Sequence, residues 1–215
     1  MPIGRSVLLA GATGLVGSEC LRLLLADAGV ERLVVIARRE IPATLLPSGY
    51  GSKLEMYKID FARLEKHVEL LAESQVFCAI GTTLKQAGSR ERFRDVDYGY
   101  GFALARFAVQ QGAQHFLLVS ATGANARSRV FYSRVKGELE DAVRGLPYRS
   151  ITIARPSFLG GARERSRPFE RIGLRLAAFA PRRYRPVPAQ RVAEALVRAA
   201  DADVQGVRII ESEAM

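Results

Sequence analysis

Seven residues near the start of the chain, Gly11-Ala12-Thr13-Gly14-Leu15-Val16-Gly17, constrain its fold more than any other stretch. They follow the apolar run Val7–Ala10 and lead into a helical pattern over Val16–Ala26. The glycines recur at every third position. In a strand-to-helix loop one allows a tight turn, one lets the backbone approach a bound diphosphate, and one lets helix pack closely on strand. The helix N-terminus then offers unpaired N–H groups and the positive end of its dipole to the phosphates.

The rest of the chain continues the alternation. Val7–Ala10, Leu33–Ala37, Val76–Ile80, Phe116–Val119 and Ile151–Ala154 are short and apolar on both faces, as parallel strands covered by helices must be. Lys53–Ile59 alternates more and reads as a sheet-edge strand. Helical patterns fill Phe61–Leu71, Glu91–Gln111 and Arg134–Arg144. Strands alternating with helices predict an α/β fold: a Rossmann-type doubly wound parallel sheet with helices on both faces. The 215 residues suit a single NAD(P)-binding domain over 1–215. From Gly160 the pattern loosens into arginine-rich, proline-punctuated sequence, and 160–188 reads as a small C-terminal substrate cap. A helix over Ala189–Ala200 and a strand over Val207–Ile210 follow.

Charge and cysteine usage narrow the function classes. The net charge is +10, and lysine supplies only five of the 32 basic residues. Between Arg155 and Arg198 eleven arginines face only Glu164, Glu170 and Glu194. Such a surplus suits nucleic acid, an anionic membrane surface or an anionic small-molecule substrate, and equally a compositional habit. No helix-turn-helix and no aromatic-interleaved basic platform is visible, so no specific nucleic-acid partner is expected. Neither is a transmembrane segment, because every apolar run is short. Arg5 with the apolar stretches up to Ala28 loosely mimics a secretory signal, but the glycine spacing explains that region better. Cys20 and Cys78 stand far apart, and His67 and His115 are the only histidines. A disulfide scaffold and a metal site are therefore not expected, and a reducing cytoplasm is the expected compartment. Nothing in the sequence opposes a homo-oligomer.

Two further constellations carry chemistry. Arg38 and Arg39 end the second strand, about twenty residues past the glycine loop, where dinucleotide folds select the adenosine ribose. An acidic residue there binds the free 2′-hydroxyl of NAD. Arginine suits the 2′-phosphate of NADP by charge and by its forked donors, so NADP(H) is expected over NAD(H). The second is Tyr132-Ser133-Arg134-Val135-Lys136, which puts Tyr and Lys one helical turn apart, after a strand ending in Ser120. Hydride transfer to a carbonyl leaves an alkoxide, and Tyr132 can protonate it. An ammonium ~4 Å away favours the phenolate by ~4 kcal/mol at an effective dielectric of ~20. Lys136 can also bind the nicotinamide ribose, and Ser120 can hydrogen-bond the substrate carbonyl.

With these motifs the chain resembles the short-chain dehydrogenase/reductase superfamily. It is most similar to the atypical branch that contains the Tat-interactive protein and related bacterial NAD(P)H-binding oxidoreductases. The likeness runs from the glycine loop through Val34–Arg39, Cys78–Thr83, Val96–Tyr98, Leu117–Ser120 and Tyr132–Glu140 to Ala154–Gly160. It implies that Gly81, Thr82 and Thr83 close a loop over the cofactor. Asp60 would meet the adenine edge, and Pro156, Ser157 and Phe158 would flank the nicotinamide. Asp97 stands where the superfamily often has Asn. Many relatives have two serines where this chain has Ser120-Ala121, which leaves Thr122 as an alternative hydroxyl. The function so implied is an NADP(H)-dependent oxidoreductase of small carbonyls or alcohols. The alternative is a non-catalytic NADPH-binding redox sensor or regulatory protein.

Overall fold

The computed structural model describes residues 4–46, 51–157, 159–160 and 185–215. Seven parallel strands form one sheet: β1 (Arg5–Ala10), β2 (Val30–Ala37), β3 (Leu54–Lys58), β4 (Gln75–Cys78), β5 (His115–Val119), β6 (Ser150–Arg155) and β9 (Gly206–Glu211). Their spatial order is β3-β2-β1-β4-β5-β6-β9. The chain runs outward from β1 to β3, crosses back over the sheet, and continues outward from β4. The order reverses between β1 and β4, and sheets of this kind bind ligands at the carboxyl ends of the strands beside that reversal.

Side chains alternate across the strands and build two cores. Val7 and Leu9 of β1 pack with Val35 and Phe77 under α1 (Leu15–Ala26) and α6 (Ala189–Ala202). Leu8 and Ala10 pack with Val34, Val76 and Phe116 on the opposite face, under α4 (Gly101–Gln110) and α5 (Phe131–Arg144). The doubly wound sheet with helices on both faces is therefore as the sequence predicts, and Leu54–Lys58 is the edge strand.

Three elements differ from the sequence reading. Phe61–Leu71 is not α-helical. It forms tight 3₁₀ turns broken at Arg63 and His67, with Phe61, Leu64 and Leu71 buried. The single helix expected over Glu91–Gln111 divides into α3 (Arg90–Arg94), a π-type turn over Asp95–Tyr100, and α4. The wider turn carries Val96 and Asp97 inward. Helix α5 begins at Phe131 rather than Arg134, which puts Tyr132 in its first turn.

A short helix, α2 (Leu84–Ala87), also escaped the periodicity. So did the two-residue pairing of β7 (Leu159–Gly160) with β8 (Val187–Pro188). Of the expected cap over 160–188, residues 161–184 lie outside the described residues, as does Phe158.

Gly17 and Gly137 bring backbone against backbone. A Cβ on Gly17 would lie 2.1 Å from the Gly11 carbonyl oxygen, and one on Gly137 would lie 2.2 Å from Ala126 N. Alanine normally favours a helix over glycine by ~1 kcal/mol. Here Gly17→Ala and Gly137→Ala should each lower stability, by ~1–3 kcal/mol, because the packed neighbours must shift. Urea denaturation checks this, and a gain in stability would contradict the packing.

Candidate active site

The glycine loop is shaped by contacts that exclude side chains. Gly11 has φ +93°, and its Cβ would fall 2.4 Å from the carbonyl oxygen of Ala79, just past β4. Gly14 N donates to Gly11 O at 2.9 Å, and Gly14 then caps α1 without a side-chain bond. The first turn of α1 contains no acidic residue. Ala12, Val16 and Gly17 are buried beneath the loop, while Thr13 is exposed and Leu15 half-buried. A dinucleotide diphosphate fits this cradle: the helix N-terminus is uncapped and glycine keeps its rim low.

Arg38 and Arg39 follow β2 and are exposed, with no ion pair among the described residues. Asp60 follows β3, and its carboxylate accepts Ala62 N–H at 3.0 Å, capping the 3₁₀ segment. Gly81, Thr82 and Thr83 follow β4, and Thr83 caps α2. All four loops leave the same edge of the sheet.

Lys136 lies at that edge, 4% exposed, and its Nζ sits 2.7 Å from Asp97 Oδ1. Asp97 is itself 2% exposed, and its Oδ2 accepts Thr82 N–H at 2.8 Å. Burial opposes the Lys136 charge, but Asp97, then Tyr132, hold the ammonium above its ordinary range. Tyr132 is 36% exposed, one turn earlier, with its ring against the buried Phe93.

Ser120 is placed differently from the expectation. Its hydroxyl donates to Glu140 Oε1 at 2.5 Å. Glu140 is 1% exposed and also accepts Arg155 Nη2 at 2.6 Å and Arg144 Nη2 at 2.9 Å. The Ser120 proton is thus held inside the protein and is not free for a substrate carbonyl. Thr122 is occupied too, donating to Arg155 O at 2.9 Å. Ser157 donates its hydroxyl to Arg185 O, and Pro156 is buried, accepting Thr122 N–H at 2.8 Å. Sequence reasoning missed Glu140. The one signal for it was periodicity, since Tyr132, Lys136 and Glu140 recur every fourth residue along α5.

Other titratable groups lie apart from this chemistry. Burial pushes the Cys20 thiol up to about 12 and the Cys78 thiol up to about 11, so neither is a ready nucleophile. His115 is pushed down to about 4 by burial and then by Arg149, and bonds Thr152 Oγ1 at 3.0 Å. A cavity of about 450 Å³ at the N-terminal edge of the sheet is lined by Arg5, His115 and Arg149 among others. Its arginines already pair with Asp27, Asp201 and Asp203.

Residues 11–203 match the model of a family described as NAD(P)H-binding. The chain belongs to this NAD(P)H-binding family. "Protein fmp52-1, mitochondrial" of Aspergillus terreus is 35% identical over 178 residues, 81% of this chain and 75% of its own. "Protein FMP52-1, mitochondrial" of Scheffersomyces stipitis is 36% identical over 164 residues, 75% of this chain and 70% of its own. Among solved structures, the Bordetella bronchiseptica enzyme WbmH in complex with NAD+ superposes with a TM-score of 0.71 at 18% identity. That match covers 97% of this chain and 75% of WbmH. UDP-glucose 4-epimerase of Thermotoga maritima, with UDP-glucose, gives 0.70 at 15% identity, over 96% of this chain and 76% of its own. At such identities the likeness is one of fold. The relatives correct the expectation of a cytoplasmic compartment: these fungal proteins are mitochondrial.

The hydroxyl and carboxylate roles around Ser120 separate by magnitude. Glu140→Gln weakens the bonds from Ser120, Arg144 and Arg155 at once, although Asp141 and Glu211 still answer the two arginines, and should cost ~3 kcal/mol of stability. Ser120→Ala removes one hydrogen bond from a carboxylate that keeps both arginines and should cost nearer ~1.5 kcal/mol. Chemical denaturation of both variants checks the order, and equal losses would contradict it.

Proposed function

We propose that this NAD(P)H-binding protein is an NADP(H)-dependent oxidoreductase acting on a small carbonyl or alcohol, with Tyr132 as general acid/base and Lys136 as its partner. One observation carries the reading. Tyr132 stands one helical turn before a buried ammonium that Asp97 ties to Thr82, at the sheet edge where the glycine loop opens. The resemblance to the short-chain superfamily supports the same roles.

Bound NADPH supplies the hydride. The backbone N–H groups of Gly11–Gly17 hold its diphosphate, and Arg38, helped by Arg39, pairs with the 2′-phosphate. Asp60 borders the adenine, while Gly81–Thr83 and Pro156–Ser157 wall the nicotinamide end. Lys136 binds the nicotinamide ribose and stabilises the Tyr132 phenolate by Coulomb attraction. Tyr132 passes its proton to the alkoxide oxygen, and takes one back in the oxidative direction. The Ser120 hydroxyl donates its hydrogen bond to Glu140, so the substrate carbonyl finds its donor in Tyr132. That same arrangement favours a second reading, an NADPH-binding redox sensor or regulatory protein that does not turn over.

Tyr132→Phe separates the two. A carbonyl panel read by NADPH oxidation should identify a substrate of the parent protein. The Phe variant should then turn it over roughly 10²–10⁴-fold more slowly, with NADPH affinity unchanged. Parent-like turnover in that variant would remove Tyr132 from the mechanism, and no turnover of any carbonyl by the parent would favour the sensor.

Cofactor choice is tested by calorimetry. NADPH should bind more tightly than NADH, and Arg38→Asp should remove ~1.5–3 kcal/mol of that preference. Equal affinities in the parent would refute the role of Arg38.

A further inference from the structure

Lys136 is a cation nearly without water, and such a group keeps its charge only beside a counter-ion. The groups that face it come from three elements. Asp97 comes from the π-type turn, Tyr132 from α5 itself, and Cys78 from β4. Among the described residues Asp97 alone is a counter-ion, its Oδ1 2.7 Å from Nζ. Its second carboxylate oxygen accepts the Thr82 amide, so one side chain joins the ammonium to the loop after β4. Gly81 closes the arrangement: a Cβ there would sit 3.5 Å from Asp97 Oδ1 and 3.8 Å from Lys136 Nζ. The π-type turn is what makes this reach possible. It inserts an extra residue between α3 and α4, so Asp97 points inward beside Val96 where a regular helix would present another residue.

We propose that Asp97 is a positioning residue of the site: it keeps the Lys136 ammonium charged and fixed against the Thr82 amide, so that Tyr132, Lys136 and Asp97 act as one unit. The inference rests on the proposed role of Lys136. Asparagine at 97 would still accept the Thr82 N–H, but it would leave the ammonium buried without a counter-charge. Burial would then discharge Lys136 at a pH where the parent keeps it charged. A purely structural Asp97 would affect stability and leave the protonation of Lys136 alone.

The chain has only five lysines, so ¹³Cε-lysine NMR of the full-length protein can follow Lys136, assigned by the signal lost in Lys136→Met. In the parent, Lys136 should keep the ammonium shift to a higher pH than an ordinary lysine side chain does. In Asp97→Asn its midpoint should fall well below that of the parent, and Asp97→Glu should restore part of the difference. A Lys136 that loses its proton in the parent at a lower pH than an ordinary lysine would overturn the proposal. So would an ammonium in Asp97→Asn that persists as in the parent. Should Asp97→Asn fail to fold, the Asp97→Asn/Lys136→Met double variant decides: recovery of folding assigns the failure to the stranded charge, and continued failure overturns the proposal. These readouts need no turnover. Parent-like activity of Tyr132→Phe would defeat the catalytic reading while leaving the NMR result intact.

Discussion

The carbonyl oxygen of Gly11 occupies the space where Gly17 would carry a side chain, and the carbonyl of Ala79 does the same at Gly11. At this point the first strand, the first helix and the loop after β4 meet backbone to backbone. The contact holds the N-terminus of α1 over the carboxyl end of β1, so its free N–H groups face the sheet edge. It also draws the β4 loop against the glycine loop, at the place where the strand order reverses. Thr82 belongs to that β4 loop, and through Asp97 it is tied to Lys136. The glycine loop and the proposed acid–base pair are therefore joined by main-chain packing and the Asp97 side chain.

Helix α5 supplies the polar side of the same edge. Lys136 and Glu140 lie one turn apart on its buried face, and each has its charge balanced locally. Asp97 answers Lys136, while Arg144 and Arg155 answer Glu140. Arg155 reaches on to Glu211 at 2.9 Å, which fastens β6 to the end of β9. Gly137, between the two charged residues, lets the loop at Asn125–Ala126 lie directly on the helix. Removing Asp97 would strand Lys136 in a medium of low dielectric, whereas Arg144 and Arg155 would keep Asp141 and Glu211 if Glu140 were removed.

The architecture was legible because it rests on local pattern. Runs such as Leu33–Ala37 and Phe116–Val119 are apolar on both faces, as strands of a covered parallel sheet are. The glycine loop was legible because backbone contact forces glycine at set intervals. Asp97 and Glu140 were less so, since acidic residues in helical sequence ordinarily face water. Their burial depends on partners far along the chain, Lys136 and Ser120. Ser120 lies just past the end of β5 at Val119, and the direction of its hydroxyl follows from Glu140 and not from its neighbours. The division of Glu91–Gln111 was hidden for a related reason: its apolar periodicity continues through the π-type turn, which burial of Val96 and Asp97 stabilises.

For the proposed chemistry, a dinucleotide cradled by Gly11–Gly17 must deliver its nicotinamide end to Tyr132 and Lys136. A crystal structure of the protein with NADP+ tests this most directly. The diphosphate should lie on the first-turn N–H groups of α1 and the 2′-phosphate at Arg38. The nicotinamide ribose should lie within hydrogen-bonding distance of Lys136 Nζ, with the ring open to Tyr132. A dinucleotide bound in the reverse sense, or with its nicotinamide away from α5, would contradict it.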